Sequence, residues 1–283
     1  MKRKNRVPVY LLTSLLFAFS AFLVSDRLSA SKESPLSHVE SYKIYYDAPT
    51  PAIIDEMSEY DAMVIEPFYY TSEQIEEIRK NGTLVYGYIN TMEADQWNKP
   101  LFRKLKEEDF FVRNSKRVYY EEWDSYLTDI TSPHYQQVMA DEVQKQIIDK
   151  GLDGAFLDTV GNIDNEHGGD PQVLHEQREG LTDWLTLLKD RHPDLSLIQN
   201  WGFDTLATAS SPYVDGIMWE GFHFNDVVYD EWAQNQIYKL RKVREADGVE
   251  VLTVSHQQPG ESKGLSTANR FKHYHEPTNY NEW

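Results

Sequence analysis

The sequence of 283 residues contains no cysteine. This absence excludes disulfide bonds, thiolate zinc sites and lipid attachment to an N-terminal cysteine. The sequence also lacks a glycine-rich phosphate loop before a helix, the His-Glu-x-x-His pattern of zinc proteases and the Gly-x-Ser-x-Gly elbow of serine hydrolases. We therefore expect a protein that uses no metal and no cofactor and that is stabilised by its core alone.

Basic side chains are scarce: 28 Lys and Arg oppose 46 Asp and Glu, which gives a net charge of −18. Residues 1–30 hold five of the basic side chains and a single acid, so the remainder of the chain carries about −22. Such a surface repels nucleic acid and anionic lipid. It either attracts a cationic polymer or serves solubility alone. We expect a monomer with no nucleic-acid partner.

The first 30 residues differ from the rest in composition. Four basic side chains within residues 2–6 precede an apolar run from Val7 to Val24, and the small residues of Leu28-Ser29-Ala30 follow. This order predicts a secretory signal peptide over residues 1–30. The apolar run is also long enough to span a bilayer, so an uncleaved membrane anchor is the alternative. Both interpretations place the protein outside the cell or at its surface, after a linker over residues 31–41.

Residues 42–283 alternate between short apolar segments and amphipathic segments, without an internal boundary or repeat. The alternation is typical of a parallel sheet with right-handed helical crossovers, and the length suits one α/β barrel domain. Seven strands are predicted, at residues 42–46, 62–66, 83–90, 154–158, 195–199, 216–220 and 249–255. The polar, aromatic tail from Phe271 to Trp283 shows no eighth strand, so we expect an irregular segment or an open edge there.

Two of the predicted strands end on a carboxylate. Asp153-Gly154 begins the apolar segment that ends at Asp158, and Asp215-Gly216 begins the one that ends at Glu220. Active sites of parallel barrels are built at the carboxyl ends of the strands. The alternative is that each acid caps a helix or pairs with an arginine. We favour the catalytic interpretation for both acids.

Five motifs in series resemble the endo-α-1,4-polygalactosaminidase family of glycoside hydrolases over roughly residues 42–256. They are Gly87-Tyr88-Ile89-Asn90 with Glu93, Asp129-Ile130 before Ser132-Pro133, Gly151 to Asp158, Gln199-Asn200 with Gly202-Phe203, and Val214 to Glu220. The resemblance implies a (β/α)8-type TIM barrel without a cofactor. It also implies an extracellular hydrolase of cationic or partly acetylated α-1,4-linked galactosamine polysaccharide, such as Pel-like biofilm exopolysaccharide. The Asp/Glu pair of the family maps onto Asp158 and Glu220.

Hydrolysis of a glycosidic bond needs one protonated acid for the leaving oxygen and one carboxylate that attacks or stabilises the oxocarbenium-like centre. By analogy with retaining α-glycosidase barrels, we assign Asp158 as the nucleophile and Glu220 as the acid/base. The sequence leaves retention and inversion both open. It also leaves open a barrel that binds the polymer without cleaving it, and a metal-dependent deacetylase, although no Asp-His-His grouping is evident at the strand ends.

Other polar and aromatic residues near the strand ends are candidates for substrate contacts, each with a structural role as the alternative. These candidates are Asp47, Tyr88, Asn90, Glu93, Asp129, Asn200, Trp219 and His223, with Glu66 and Tyr46 beside them. Trp219 could instead desolvate Glu220 or pack under a helix. The loop from Gly161 to Pro171 contains three acids, which fits either a calcium site or a polar loop over the cleft.

Overall fold

A computed structural model describes residues 33–283. Their central element is a sheet of eight strands that follow one another in chain order, each parallel to the next. Numbered along the chain, the eight barrel strands are Tyr42–Tyr45, Ala62–Ile65, Leu84–Asn90, Gly154–Asp158, Ser196–Asn200, Gly216–Glu220, Glu250–Ser255 and Lys272–His275. The predicted (β/α)8-type barrel is confirmed.

Helices connect the strands. The α-helices are Pro51–Met57, Ser72–Ile78, Lys99–Phe102, Pro133–Val143, Asn162–His167, Pro171–Arg191, Phe203–Thr205, Phe224–Val228, Glu231–Asp247 and Pro259–Ala268. Two π-helical turns, Gln144–Ile148 and Leu206–Ser210, extend the helices before them, and four short 3-10 helices are Pro35–His38, Pro67–Tyr69, Arg79–Asn81 and Glu107–Asp109. A capping box begins helix Ser72–Ile78, because the side chains of Thr71 and Gln74 each accept the backbone N–H of the other residue.

The Asp-Gly pairs at the starts of the fourth and sixth strands join those strands to their neighbours. Asp153 accepts the backbone N–H of Val85 at 2.9 Å, and Asp215 accepts that of Leu197 at 3.1 Å. A β-carbon on Gly154 would lie 2.4 Å from the Ser196 carbonyl oxygen, so only glycine fits between the strands there. These residues hold the base of the barrel, opposite the carboxyl ends.

Side chains alternate between the inside of the barrel and the layer of helices. The inner residues form one cluster that includes Tyr86, Phe156, Ile198, Met218 and Leu252. Their neighbours along the strands, Leu157, Ile217 and Trp219 among them, pack in a second cluster with the helices. Since side chains repeat every two residues along a strand, Asp158 shares the inward face of Phe156, and Glu220 shares that of Met218.

A long excursion separates the third strand from helix Pro133–Val143. It contains an antiparallel sheet of Glu93–Asp95, Ser125–Leu127 and Tyr119–Tyr120, and a hairpin of Val112–Arg113 and Lys116–Arg117. The sequence did not predict these strands, because strands of two or three residues are too short for a period to appear. The excursion places Glu93 and Asp95 close to the carboxyl end of the third strand.

The segment where no eighth strand was evident contains one. Lys272–His275 pairs with the seventh strand, Leu252 opposite Lys272. Among residues 33–283, no ladder joins this strand to the first one. Instead, the backbone N–H of Tyr46 donates to the Tyr280 carbonyl at 2.7 Å, and Lys272 Nζ donates to the carbonyl of Val39 at 2.8 Å. Segments at both ends of the described chain thus bridge the seam, which no ladder seals.

Residues 33–41, which belong to the predicted linker, pack against the barrel. Leu36 of helix Pro35–His38 is fully buried and contributes to the inner cluster, where it lies beneath Gly216. This part of the predicted linker is therefore a piece of the barrel's base. The predicted signal peptide or anchor over residues 1–30 lies outside the described residues. No helix within residues 33–283 combines the length and apolar character needed to cross a membrane.

Candidate active site

The carboxyl ends of the fourth, fifth and sixth strands bring Asp158, Asn200 and Glu220 together. Asn200 Nδ2 donates to Asp158 Oδ1 at 2.7 Å and to Glu220 Oε1 at 3.0 Å. Because one donor joins both oxygens, their separation does not exceed the sum of these two distances. Two carboxyl groups held this close by one amide can act on the same glycosidic bond.

Glu220 is held by two donors in a partly buried position. Tyr280 Oη donates to Glu220 Oε2 at 3.0 Å, while Asn200 occupies Oε1. Burial, followed by the nearby charge of Asp158, raises the pKa of Glu220 to about 7, although both hydrogen bonds act in the opposite direction. A carboxyl group with such a pKa exchanges a proton near neutral pH, as a general acid requires.

Asp158 is fixed by the residue that follows it. The backbone N–H of Thr159 donates to Asp158 Oδ1 at 2.8 Å, and Thr159 Oγ1 donates to Asn90 Oδ1 at 2.7 Å. Thr159 has a φ of 62°, a left-handed conformation that β-branched residues rarely adopt. Such a conformation costs on the order of 1–3 kcal/mol and persists where its surroundings enforce it. Here it turns the chain so that Asp158 Oδ1 accepts from both the Thr159 backbone and Asn200.

Three tyrosine rings surround the pair. Tyr46 contacts Tyr88 with ring centroids 5.2 Å apart, and Tyr280 at 5.5 Å. Burial, followed by the charge of Glu220, raises the pKa of Tyr46, and burial followed by the charge of Asp158 raises that of Tyr88. Both phenols therefore stay protonated and can act as hydrogen-bond donors beside the carboxylates. Tyr88, one of the candidates for a substrate contact, thus lies beside Asp158.

A second group of acids lies in a small pocket beside the third strand, whose free volume of about 20 Å³ has room for one water-sized group. Glu66, Asp95, Tyr88 and Asn90 all line this pocket. Asn90 Nδ2 donates to Asp95 Oδ2 at 3.0 Å, which places the predicted site residue Asn90 between the pocket and Thr159. Burial is the main cause that raises the pKa of Glu66 to about 7 and that of Asp95 to about 6.

Glu93 lies under the cleft rather than on its surface. It is buried, accepts from Asn162 Nδ2 at 2.8 Å through Oε1, and accepts from Ser125 Oγ through Oε2. Burial raises the pKa of Glu93. Both oxygens are occupied by neighbours, so the predicted direct contact with substrate is replaced by a role in fixing the antiparallel sheet.

Asp47 and Asp129, two other predicted substrate contacts, do not meet the pair. Asp47 is exposed. It follows the inward-facing Tyr46 by one residue, and because side chains alternate along a strand it points away from the inside of the barrel. Its carboxylate accepts the N–H of Ala48 at 2.6 Å. Asp129 Oδ1 accepts from the Thr131 backbone at 3.0 Å and from Gln177 at 2.8 Å. Both acids therefore fix turns.

Trp219 also points away from the inside of the barrel. It lies between Met218 and Glu220, both of which face inward, and its ring is only 2 % exposed. The ring packs against Phe203 and Phe222 with centroids 4.9 and 5.1 Å away. In this position Trp219 neither contacts substrate nor covers the Glu220 carboxyl. The geometry favours the alternative, in which Trp219 packs under the helices.

His223 borders the cleft without reaching either carboxylate. Its Nδ1 lies 2.9 Å from Asp226 Oδ2, and its ring lies 6.0 Å from that of His256. The His256 ring in turn lies 5.8 Å from Tyr280. His223 Nε2 is buried and has no hydrogen-bond partner within residues 33–283. His223 thus belongs to the rim of the cleft, on the side of the C-terminal tail.

The three acids of the loop from Gly161 to Pro171 have structural partners. Asp164 pairs with an arginine of the next helix at 2.8 Å, Glu166 pairs with Arg113 at 3.0 Å, and Asp170 caps helix Pro171–Arg191. These contacts leave no shared centre for calcium. Within residues 33–283, the one acid/histidine group with metal-like spacing is Glu108, Asp109 and His134, which contains a single histidine.

Two site residues were missing from the sequence-based set. Tyr280 lies in a tail without periodic pattern, and only folding along the seam brings its hydroxyl to Glu220. Asp95 follows Glu93 by two residues on a three-residue strand, and neither a motif nor a strand end marks it. Alternate residues of a strand lie on one face of the sheet, so Glu93 indicates that Asp95 is on the same face. This alternation does not indicate where in the fold the strand lies.

Comparison with known proteins gives a family and a fold. The sequence profile of glycoside-hydrolase family GH114 matches residues 26–273. The glycoside hydrolase domain of PelA from Pseudomonas aeruginosa superposes with a TM-score of 0.65 at 18% identity, over 86% of this chain and 97% of that one. The complex of Aspergillus fumigatus Ega3 with galactosamine gives 0.63 at 17% identity, over 86% of this chain and 92% of that one. No curated protein matches the chain.

Proposed function

This chain belongs to glycoside-hydrolase family GH114, and we propose that it cleaves α-1,4-linked galactosamine or N-acetylgalactosamine polysaccharide with Asp158 and Glu220 as its catalytic pair. The observation that carries the proposal is the single Asn200 amide that donates to both carboxylates. The galactosamine bound to Ega3, a structure of the same fold, supports the choice of sugar. Glycoside hydrolysis itself follows from the family.

The proposed mechanism is retaining. Asp158 attacks the anomeric carbon through Oδ2 while Glu220 gives its proton to the leaving oxygen, so the glycosidic bond breaks as a glycosyl–Asp158 ester forms. Glu220, now ionised, takes a proton from water, and the hydroxide oxygen attacks the anomeric carbon and releases Asp158. The pKa of about 7 at Glu220 suits both proton transfers. Asn200 positions both acids throughout.

The proposed location is extracellular or at the cell surface. It rests on residues 1–30, where basic side chains precede an apolar run and small residues. The mature protein would then act as a monomer on exopolysaccharide of a biofilm. An N-terminal sequence beginning near residue 31 in protein recovered from the medium would establish cleavage; intact residues 1–30 in the membrane fraction would establish an anchor.

The catalytic assignment is tested with the Asp158→Asn and Glu220→Gln variants. Each removes the reacting carboxylate while keeping an oxygen for the Asn200 amide, so we expect turnover to fall by at least about 10²-fold with little change in unfolding midpoint. The purified protein is incubated with galactosamine polymer, and oligomer release is followed by mass spectrometry. Asp47→Asn, which removes an exposed acid of the wrong phase, is the matched control and should retain activity.

The stereochemical outcome provides an independent check. Proton NMR of the first products should show the α-anomer before mutarotation, because two displacements restore the configuration. Initial release of the β-anomer would contradict Asp158 as nucleophile. Near-native turnover in either catalytic variant would remove that residue from the mechanism.

A further inference from the structure

We propose that the pocket between Glu66, Asp95 and Gln146 is a subsite that binds the ammonium group of an unacetylated galactosamine unit. This inference rests on the proposed function and specifies which form of the polymer the enzyme prefers. The pocket adjoins the catalytic pair directly, because Asn90, which lines it, is in register with Asp158 across the sheet. A sugar next to the cleaved bond would therefore reach it.

Three acceptor atoms in this pocket have no hydrogen-bond donor among residues 33–283. Glu66 uses Oε1 to accept the N–H of Phe68 at 3.2 Å, which leaves Oε2. Asp95 uses Oδ2 for Asn90, which leaves Oδ1. Gln146 is 2 % exposed, donates to Glu142 through Nε2 at 3.0 Å, and has no partner for Oε1. Gln146 Oε1 is buried as well as unpaired, which is costly unless a ligand or water supplies a donor.

An alkylammonium group fits this acceptor set. It carries three N–H donors and no acceptor, and it brings a positive charge to two carboxylates that have no ion-pair partner within residues 33–283. An acetamido group brings one donor, one acceptor and a methyl group, and would leave acceptors unpaired. The pocket therefore distinguishes the two forms of the sugar by chemistry as well as by charge.

The walls of the pocket also suit an amino sugar. The rings of Phe68 and Trp97 meet edge to face at 5.6 Å and are 37 % and 54 % exposed. Exposed rings of this kind offer a face to a sugar and attract a nearby cation. A metal ion fits less well, because no three acidic or histidine side chains of the pocket approach within the 4.8 Å that a common ion requires.

The test compares kcat/KM on two purified polymers, fully deacetylated and fully N-acetylated galactosamine, at one ionic strength. The wild type should prefer the deacetylated polymer. Glu66→Gln and Asp95→Asn, which keep an oxygen for Phe68 and Asn90, should each lower the ratio of the two kcat/KM values about tenfold. Asp183→Asn removes the same charge from an exposed position on helix Pro171–Arg191 and should leave the ratio unchanged.

Binding gives a second measurement that does not depend on turnover. In the Asp158→Asn background, an unacetylated galactosamine tetramer should bind about tenfold more weakly after Glu66→Gln, while the N-acetylated tetramer should not. An equal loss on both polymers, or a wild type that prefers the acetylated one, would overturn the subsite and leave the proposed function intact. A wild type that cleaves neither polymer would overturn both.

Discussion

The hydrogen bond from Tyr280 to Glu220 predicts a shift in the pH profile of the enzyme. Tyr280 Oη donates to Glu220 Oε2 at 3.0 Å and stabilises the ionised carboxylate. The Tyr280→Phe variant removes this donor and keeps the ring that contacts Tyr46. The pKa of Glu220, already raised to about 7 by burial and by Asp158, should rise further. Since Glu220 must be protonated to act as the acid, the enzyme should stay active to higher pH.

The size of the shift follows from the type of bond. A hydrogen bond to a charged group contributes about 1.5–3 kcal/mol, and one pKa unit corresponds to about 1.4 kcal/mol. Because Tyr280 is partly exposed and water can replace part of its effect, we expect a shift of about one unit. The assay is kcat/KM on galactosamine polymer from about pH 5 to 9, whose basic limb reports the pKa of the acid in the free enzyme.

The matched control is Tyr274→Phe. Tyr274 precedes Tyr280 on the same closing segment and also donates to a carboxylate, but that carboxylate is Glu276. This variant should lose stability at the seam without moving the basic limb. A folded Tyr280→Phe variant whose basic limb stays in place or moves to lower pH would contradict this role of Tyr280.

Three further predictions concern charge, burial and packing. Rising salt should lower kcat/KM more for cationic than for acetylated polymer, because the net charge of −18 acts over a Debye length that shrinks to about 8 Å at physiological salt; equal responses would restrict the acidic surface to solubility. Burial raises the pKa of Glu66 to about 7. The contribution of this carboxyl to the free energy of unfolding is therefore complete below its ordinary pKa and is lost as the pH rises through about 7. Thermal melts should therefore show Glu66→Gln more stable than the wild type at pH 8, by up to about 3 kcal/mol, and similar at pH 4; a gain at pH 4 alone would contradict this. Trp219→Ala should lower the free energy of unfolding by about 3–5 kcal/mol, and an unchanged denaturant midpoint would refute its place in the core.

The sequence predicted most of the barrel because its strands are continuous apolar runs with clear ends. Seven of the eight strands were located within a residue or two, and the strand from Gly154 to Asp158 was bounded correctly at both ends. The eighth strand, Lys272–His275, was missed because it contains two histidines and a lysine and no apolar run. Its place is determined by pairing with the seventh strand and by Lys272, which reaches the backbone of the N-terminal segment.

Site residues on long strands were easier to predict than those on turns. Asp158, Asn200 and Glu220 end strands whose alternation points them inward, and the structure brings them together. Asp47 and Trp219 were placed in the cleft because they are close to a strand end, but each is one residue out of phase with its inward neighbours. A residue near a strand end is thus a site candidate only if its side chain points into the barrel, since a shift of one residue along the strand turns the side chain to the other face.

Ion pairing separates the acids that support the fold from those that line the cleft. At the base and among the helices, acids face cations: Asp153 meets Arg79 at 2.7 Å, and Asp164 meets Arg178 at 2.8 Å. Within residues 33–283, neither Asp158 nor Glu220 forms an ion pair, and the same holds for Glu66 and Asp95 of the pocket. An arginine beside Glu220 would lower its pKa and abolish the proton donor, and one beside Glu66 would displace a cationic sugar. Glu142, which lines the same pocket, does pair with Lys104 at 3.3 Å, so the absence of an ion pair distinguishes Asp158, Glu220, Glu66 and Asp95 in particular. That distinction is what the proposed proton transfer and the proposed ammonium site both require.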